Sequence, residues 1–240
     1  MSPDIRKHRG AHPEDRKLFA AEQWPKLRTA VSELSWLLSR DYAAKGALKL
    51  VGDRYALTER QRLAVSRAAC SDQSKAQRAT KAISADAISG AELILDGFNL
   101  IVTAEAALSS GLLIHCRDGC IRDLSSVHGS YRAVTETDSA IRMIGTSLDA
   151  LQVDAVLWLL DRPVSNSGRL AQRIRDIADE TGRNWRVEVP FNPDKEMAAS
   201  NKIVVTSDSH VLDQAGRWFN FNGYLLEKIV DAVWLVDLSC

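Results

Sequence analysis

Apolar positions along the chain follow two regimes that change near Gly90. Before it they recur at helical spacing: Leu27, Ala30, Val31, Leu34, Leu37 and Leu38 trace one face of an amphipathic helix. A second helix fits residues 58–69, with Thr58 as N-cap and Gln61 at the reciprocal position of a capping box. Between them, residues 47–53 read as a short apolar piece closed by a turn, and the polar, alanine-rich stretch 71–89 reads as a helical connector. After Gly90, strand-length apolar runs at 93–96, 111–115, 155–161, 185–189, 203–208 and 232–236 alternate with helical patterns at 101–108, 137–151, 167–181 and 224–230. Alternation of this kind predicts an α/β region with a mostly parallel sheet and helices on both faces. The chain therefore divides into a small all-α domain, residues 1–90, and an α/β domain, residues 91–240.

Three of the strand-like runs stop on an aspartate. Leu93-Ile94-Leu95 runs into Asp96-Gly97-Phe98-Asn99, residues 155–160 into Asp161, and Ile203-Val204-Val205 into Thr206-Ser207-Asp208-Ser209. Continuous apolar runs suit strands covered on both faces, and parallel sheets place their ligand sites beyond the carboxyl ends of such strands. Asp96, Asp161 and Asp208 are thus expected to converge. Carboxylates gathered without matching cations are costly unless they hold a metal ion. Gly97 is read as the residue that allows a tight turn, with Asn99 adding a neutral oxygen, while Thr206 and Ser207 are placed to orient water or phosphate. Each motif also has a plain structural reading, as an Asx turn at Asp96 or a helix cap at Asp208.

The loops add polar groups. Arg162, Ser165, Asn166, Ser167 and Arg169 surround a predicted helix start, where free N–H groups and arginines favour a phosphate. Asp194, in the loop opening onto the helix before the last acidic strand, is a fourth candidate ligand or a helix-starting acid. Arg122, His128, Tyr131 and Arg132 lie in an arginine-rich hairpin or loop suited to stacking on bases and contacting phosphates. Glu136 and Asp138 start the next helix, as caps or as further acids.

The net charge of zero conceals a split: residues 1–90 carry 17 Lys and Arg against 10 Asp and Glu, and residues 91–240 carry 14 against 21. A basic half, with Arg60, Arg62 and Arg67 on one helix, suits a polyanion, and an acidic half suits cations. No apolar run reaches 18 residues and the N-terminus lacks an apolar core, so neither a membrane span nor a secretory signal is expected. Cys70, Cys116, Cys120 and Cys240 show no paired zinc spacing and are expected to stay reduced in a cytoplasmic chain.

The order of the strand-end residues resembles the PIN-domain ribonuclease superfamily, especially its NYN branch, over roughly residues 91–215. Asp96-Gly97-Phe98-Asn99 looks like that branch's opening strand motif, Asp161 like its middle-strand acid, and Val204-Val205-Thr206-Ser207-Asp208 like its closing motif. Asp194 falls where the acid of the preceding helix belongs. The whole chain also resembles a group of prokaryotic proteins of unassigned function in which a basic helical domain precedes this domain. The resemblance implies a Rossmann-like (PIN-like) sheet. It further implies that Asp96, Asp161 and Asp208 bind Mg²⁺ or Mn²⁺ and, with Asp194, activate water against an RNA phosphodiester. DNA is a further expected partner. The rival expectation is an inactive nucleic-acid-binding regulator, since Thr58-Glu59-Arg60-Gln61-Arg62 is similar to the start of a helix-turn-helix.

Overall fold

In the computed structural model, which describes residues 8–125, 129–228 and 233–240, the first part of the chain is helical. It comprises α1 (Asp15–Leu18), α2 (Trp24–Leu38), α3 (Ala44–Arg54), α4 (Glu59–Ala68) and α5 (Asp72–Lys81). The stripe Leu27, Ala30, Val31, Leu34 and Leu37 is the buried face of α2. At α4 the capping box forms as expected: the Gln61 N–H donates to Thr58 Oγ1 at 3.3 Å, and the Thr58 N–H donates to Gln61 Oε1 at 3.2 Å. The stretch expected as a closed apolar piece at 47–53 is instead the body of α3. Ala47 and Val51, four apart, face inward, and Gly52 does not end the helix. The Arg62 side chain lies across it, so that a Cβ there would come within 2.3 Å of Arg62 Nη1.

The arginines of α4 are also not a free cationic face. Arg60 forks onto the buried Asp15 with two bonds of 2.7 Å, and Arg62 pairs with Asp53 at 2.7 Å. Arg67 donates to the carbonyls of Asp123 and Ser125. Charges held in fixed internal bonds lose much of their attraction for an outside polyanion.

The remainder alternates strand and helix as the sequence pattern predicts: β1 (Glu92–Asp96), α6 (Gly97–Leu108), β2 (Leu112–His115), β3 (Ile121–Asp123), α7 (Thr137–Ala150), β4 (Ala155–Leu159), α8 (Ser167–Thr181), β5 (Trp185–Glu188), α9 (Pro193–Ala199), β6 (Ile203–Val205), α10 (Ser209–Gln214), α11 (Phe221–Glu227) and β7 (Trp234–Asp237). Strands β5-β4-β1-β6 form one parallel sheet. Leu93, Leu95, Val156 and Trp158 pack on one face with residues of α7 and α8, such as Ile141, Ile144, Leu170 and Ile174. Ile94, Leu159 and Val204 pack on the other with Met197 of α9 and Val211 and Leu212 of α10. Both faces are covered, which is why these strands read as unbroken apolar runs. The architecture is α/β, with a helical region before it.

Two expected strands leave the main sheet. β2 pairs parallel with β7 and antiparallel with β3, forming a second, three-stranded sheet. Leu112, Ile114, Cys116, Val236 and Leu238 share a core with Leu27, Val31, Val65 and Ala68 of the helical region. Burial against those helices, rather than against the main sheet, satisfies their apolar side. The expected strand at 232–236 begins on a residue outside the described set; β7 starts at Trp234. No helix among the described residues is long and apolar enough to cross a membrane.

Candidate functional site

Two strands of the main sheet and two helices packed on it deliver aspartates to one cavity. β1 ends on Asp96, Asp161 follows β4, Asp194 lies in the first turn of α9, and Asp208 caps α10. All four line a cavity of about 430 Å³ with Asn99 and Ser207. β4 and β6 are shorter than expected, ending at Leu159 and Val205, so Asp161 and Asp208 stand in the turns beyond the strands. Gly97 is correspondingly not a turn residue with special φ. It opens α6, and a Cβ on it would meet the Leu159 carbonyl at 2.9 Å and Leu160 at 2.6 Å. Its role is close approach of α6 to the end of β4.

Hydrogen bonds fix the acids in place. Asp96 accepts from the Asn99 N–H at 3.2 Å and from the Thr206 hydroxyl at 2.7 Å. The Asp208 N–H donates to that same hydroxyl at 3.0 Å, joining the β1 and β6 ends. Asn99 Oδ1 accepts from the Ser207 N–H at 3.0 Å and the Ser207 hydroxyl at 2.9 Å. One oxygen of Asp208 accepts from His210 and Val211 N–H groups at 2.8 and 3.1 Å, so Asp208 is a helix cap and a pocket acid at once. The Asx-turn and capping readings hold alongside the convergence.

Burial pushes the Asp96 carboxyl up to about 7 against the opposing Thr206 and Asn99 bonds, with the charges of Asp208 and Asp194 adding to the rise. Burial, followed by the charge of Asp194, also raises Asp161, and burial followed by Asp208 raises Asp194. Among the described residues none of the four forms an ion pair, although most other internal acids do. No three His, Cys, Asp or Glu side chains among the described residues stand close enough to hold an ion by themselves.

Arg122, expected to hold substrate, lines the cavity but is spent on the framework. It is buried, donates to the Ser207 carbonyl at 2.7 Å, and forks onto Asp118 at 2.9 and 2.7 Å. Burial alone would raise Asp118, but Arg122 and Arg78 outweigh it and hold that carboxyl at about 2. Tyr131, Arg132, Asn166 and Arg169 do not reach the acidic cavity; with Arg173 they line a separate one of about 470 Å³. Asn166 adopts φ 68° and gives α8 no side-chain cap, donating instead to the Tyr131 carbonyl at 2.8 Å. Ser165 pairs through its backbone with Gly129 and Tyr131, and the buried Ser167 bonds back to Val164. Arg162 donates to the Val189 carbonyl and lies over the Phe191 ring. His128 lies outside the described residues. Glu136 accepts from His8 and Asp138 pairs with Arg173, so neither joins the acids.

A fifth acid was missed. Asp123, on β3, lines the cavity and accepts from the Thr103 hydroxyl at 3.0 Å and the Ser125 N–H at 2.6 Å. A three-residue strand is too short to show an alternation. Ser66 and Arg67 of α4 line the cavity too, a contribution that only the tertiary fold reveals.

Residues 85–224, more than half of the chain, match the family described as Domain of unknown function (DUF5616). The chain belongs to that family. All four aspartates of the cavity, and Asn99, Asp123 and Ser207, lie within the DUF5616 match. Residues 26–81 are similar to a second family, described as Protein of unknown function (DUF434), and that segment supplies Ser66 and Arg67. An uncharacterized protein of Methanocaldococcus jannaschii is 29% identical over 186 residues, 78% of this chain and 88% of that protein. No solved structure matches the chain. The cysteines are all free, with Cys70, Cys116 and Cys120 buried and Cys240 exposed.

Proposed function

We propose that this DUF5616 chain is a metal-dependent ribonuclease of the cytoplasm that hydrolyses RNA phosphodiester bonds at the acidic cavity. The observation that carries the reading is the gathering of Asp96, Asp161, Asp194 and Asp208 with no ion-pair partner among the described residues, despite the cost that burial and mutual repulsion impose. The donors fit Mg²⁺ or Mn²⁺: all are hard oxygens, and Mg²⁺ takes one or two carboxylates while keeping several waters, so no closed cage of three ligands is required. Asp96, Asp161 and Asp208 would hold the ion between them, one or two directly and the rest through its waters. When bound, it would neutralise charge on the scissile phosphate and lower the pKa of a coordinated water.

The chain's own residues account for the rest. Thr206 and the Asn99 N–H aim the two Asp96 oxygens, and Ser207 locks Asn99. Asp194, whose proton affinity is raised by burial and by the charge of Asp208, takes the proton of the attacking water. The strand-end order that resembles the NYN branch supports the same assignment.

The test is cleavage of a mixed RNA pool by the full chain with Mn²⁺, with EDTA, and with Asp208→Asn. The reading expects cleavage with Mn²⁺ alone, lost in EDTA and in the variant. If the wild type cleaves no RNA with metal, the activity is absent and a binding role takes its place.

A further inference from the structure

Phe191 is 71% exposed, the most exposed large apolar side chain of the described residues. Its surroundings are fixed rather than loose. The Arg162 guanidinium carbon sits 4.6 Å from the ring centroid, and Arg162 Nε donates to the Val189 carbonyl at 3.0 Å. The Arg162 N–H also donates to the Pro190 carbonyl at 2.8 Å, and Asn192 caps α9 by accepting from the Lys195 N–H at 3.0 Å. The loop after β4 and the loop after β5 are thereby pinned to each other with an aromatic ring held outward.

That ring stands on the loop that leads into the helix carrying Asp194, outside the lining of the cavity itself. Arg162 is bonded to Asp161, and Phe191 lies three residues before Asp194. Three residues span at most about 11 Å, the reach of one or two nucleotides. The core gains nothing from an aromatic residue at this position, whereas a nucleobase gains a stacking partner. Bases in a duplex already have both faces covered, so a lone protruding ring selects an unpaired strand.

We infer that Phe191, backed by Arg162, is a base-stacking platform that makes single-stranded RNA the substrate of the acidic cavity. This rests on the ribonuclease reading. Arg162 acts here as the support of the ring and adds a cation–π contribution to the stack. Phe191 is a substrate-positioning residue, and its loss leaves the acids untouched.

The experiment is fluorescence anisotropy of labelled single-stranded and duplex RNA with the full chain in EDTA, where no cleavage occurs. Wild type is compared with Phe191→Ala, Phe191→Leu and Phe191→Trp, each checked by thermal melting. The expected result is binding of the single strand weakened roughly 5- to 100-fold by Ala. Leu should weaken it similarly, Trp should retain it, and duplex binding and melting temperature should not change. Single-strand binding by Phe191→Ala within twofold of wild type overturns the platform and leaves the ribonuclease reading standing. Leu binding as well as Phe also overturns it, because the contact is then merely apolar, as a protein partner would use. If the wild type binds neither RNA in EDTA and neither binds nor cleaves them with Mn²⁺, the RNA reading falls and the platform falls with it.

Discussion

Replacing Asp96 by Asn should change how the metal-free protein responds to pH. The Asp96 carboxyl is raised to about 7 in the fold, chiefly by burial, with Asp208 and Asp194 nearby. In an unfolded chain an aspartate titrates near about 3.9. Below pH ~4 both states are protonated and the stability is whole. As the pH rises towards 7 the unfolded chain releases the proton while the fold retains it, so stability falls. Roughly three decades of retained proton affinity, at about 1.4 kcal/mol each, amount to about 4 kcal/mol.

Asn carries no such linkage, and its side-chain oxygen still accepts from the Asn99 N–H. The two proteins should therefore be of similar stability near pH 4, and Asp96→Asn should be the more stable by about 4 kcal/mol at pH 8. For a chain of 240 residues that separates the melting temperatures by roughly 10 °C. Asp161 and Asp194 have the same sign of linkage but remain in both proteins, so the difference isolates Asp96. Chemical denaturation in EDTA at half-unit steps from pH 4 to 8 measures it. A stability difference constant across that range would refute the reasoning.

Three further outcomes follow from the same geometry. Asp208→Asn should keep the α10 cap, because Asn caps about as well as Asp, and keep or raise the apo melting temperature as one repelling charge is removed, but lose the stabilisation that millimolar Mn²⁺ gives the wild type; an unchanged Mn²⁺ shift would make Asp208 a cap alone. Arg122→Leu should destabilise by roughly 3–5 kcal/mol in urea unfolding, since Asp118 is left buried with a lost partner, whereas a surface arginine would cost under about 1 kcal/mol. Gly97→Ala should cost about 1–3 kcal/mol by the same assay, from the contact of its Cβ with the Leu159 carbonyl, and a neutral result would mean α6 shifts freely.

What was legible in the sequence is what short-range pattern encodes. The main-sheet strands were visible because burial on both faces leaves Leu93–Leu95 and Ile203–Val205 without a polar break. The capping box at Thr58 and the convergence of Asp96, Asp161, Asp194 and Asp208 follow from the same local logic plus the rule for parallel sheets. The second sheet was not legible, because β3 is three residues long and β2 gains its cover from helices far away in sequence. For the same reason Asp123 was missed, and Arg67, read as part of a cationic helix face, was not placed at the cavity. Polar loops misled most: Tyr131, Asn166 and Arg169 look like parts of one phosphate site with the acids, yet they line a separate cavity. Sequence proximity to Asp161 sets no direction for a side chain.

The most direct measurement is an anomalous difference map from crystals of the wild-type protein soaked in Mn²⁺. The account predicts a Mn²⁺ peak in the cavity, within direct or water-mediated reach of Asp96, Asp161 and Asp208, and its loss in Asp208→Asn crystals. A cavity that stays empty at millimolar Mn²⁺, at a pH where the carboxylates are ionised, would contradict it.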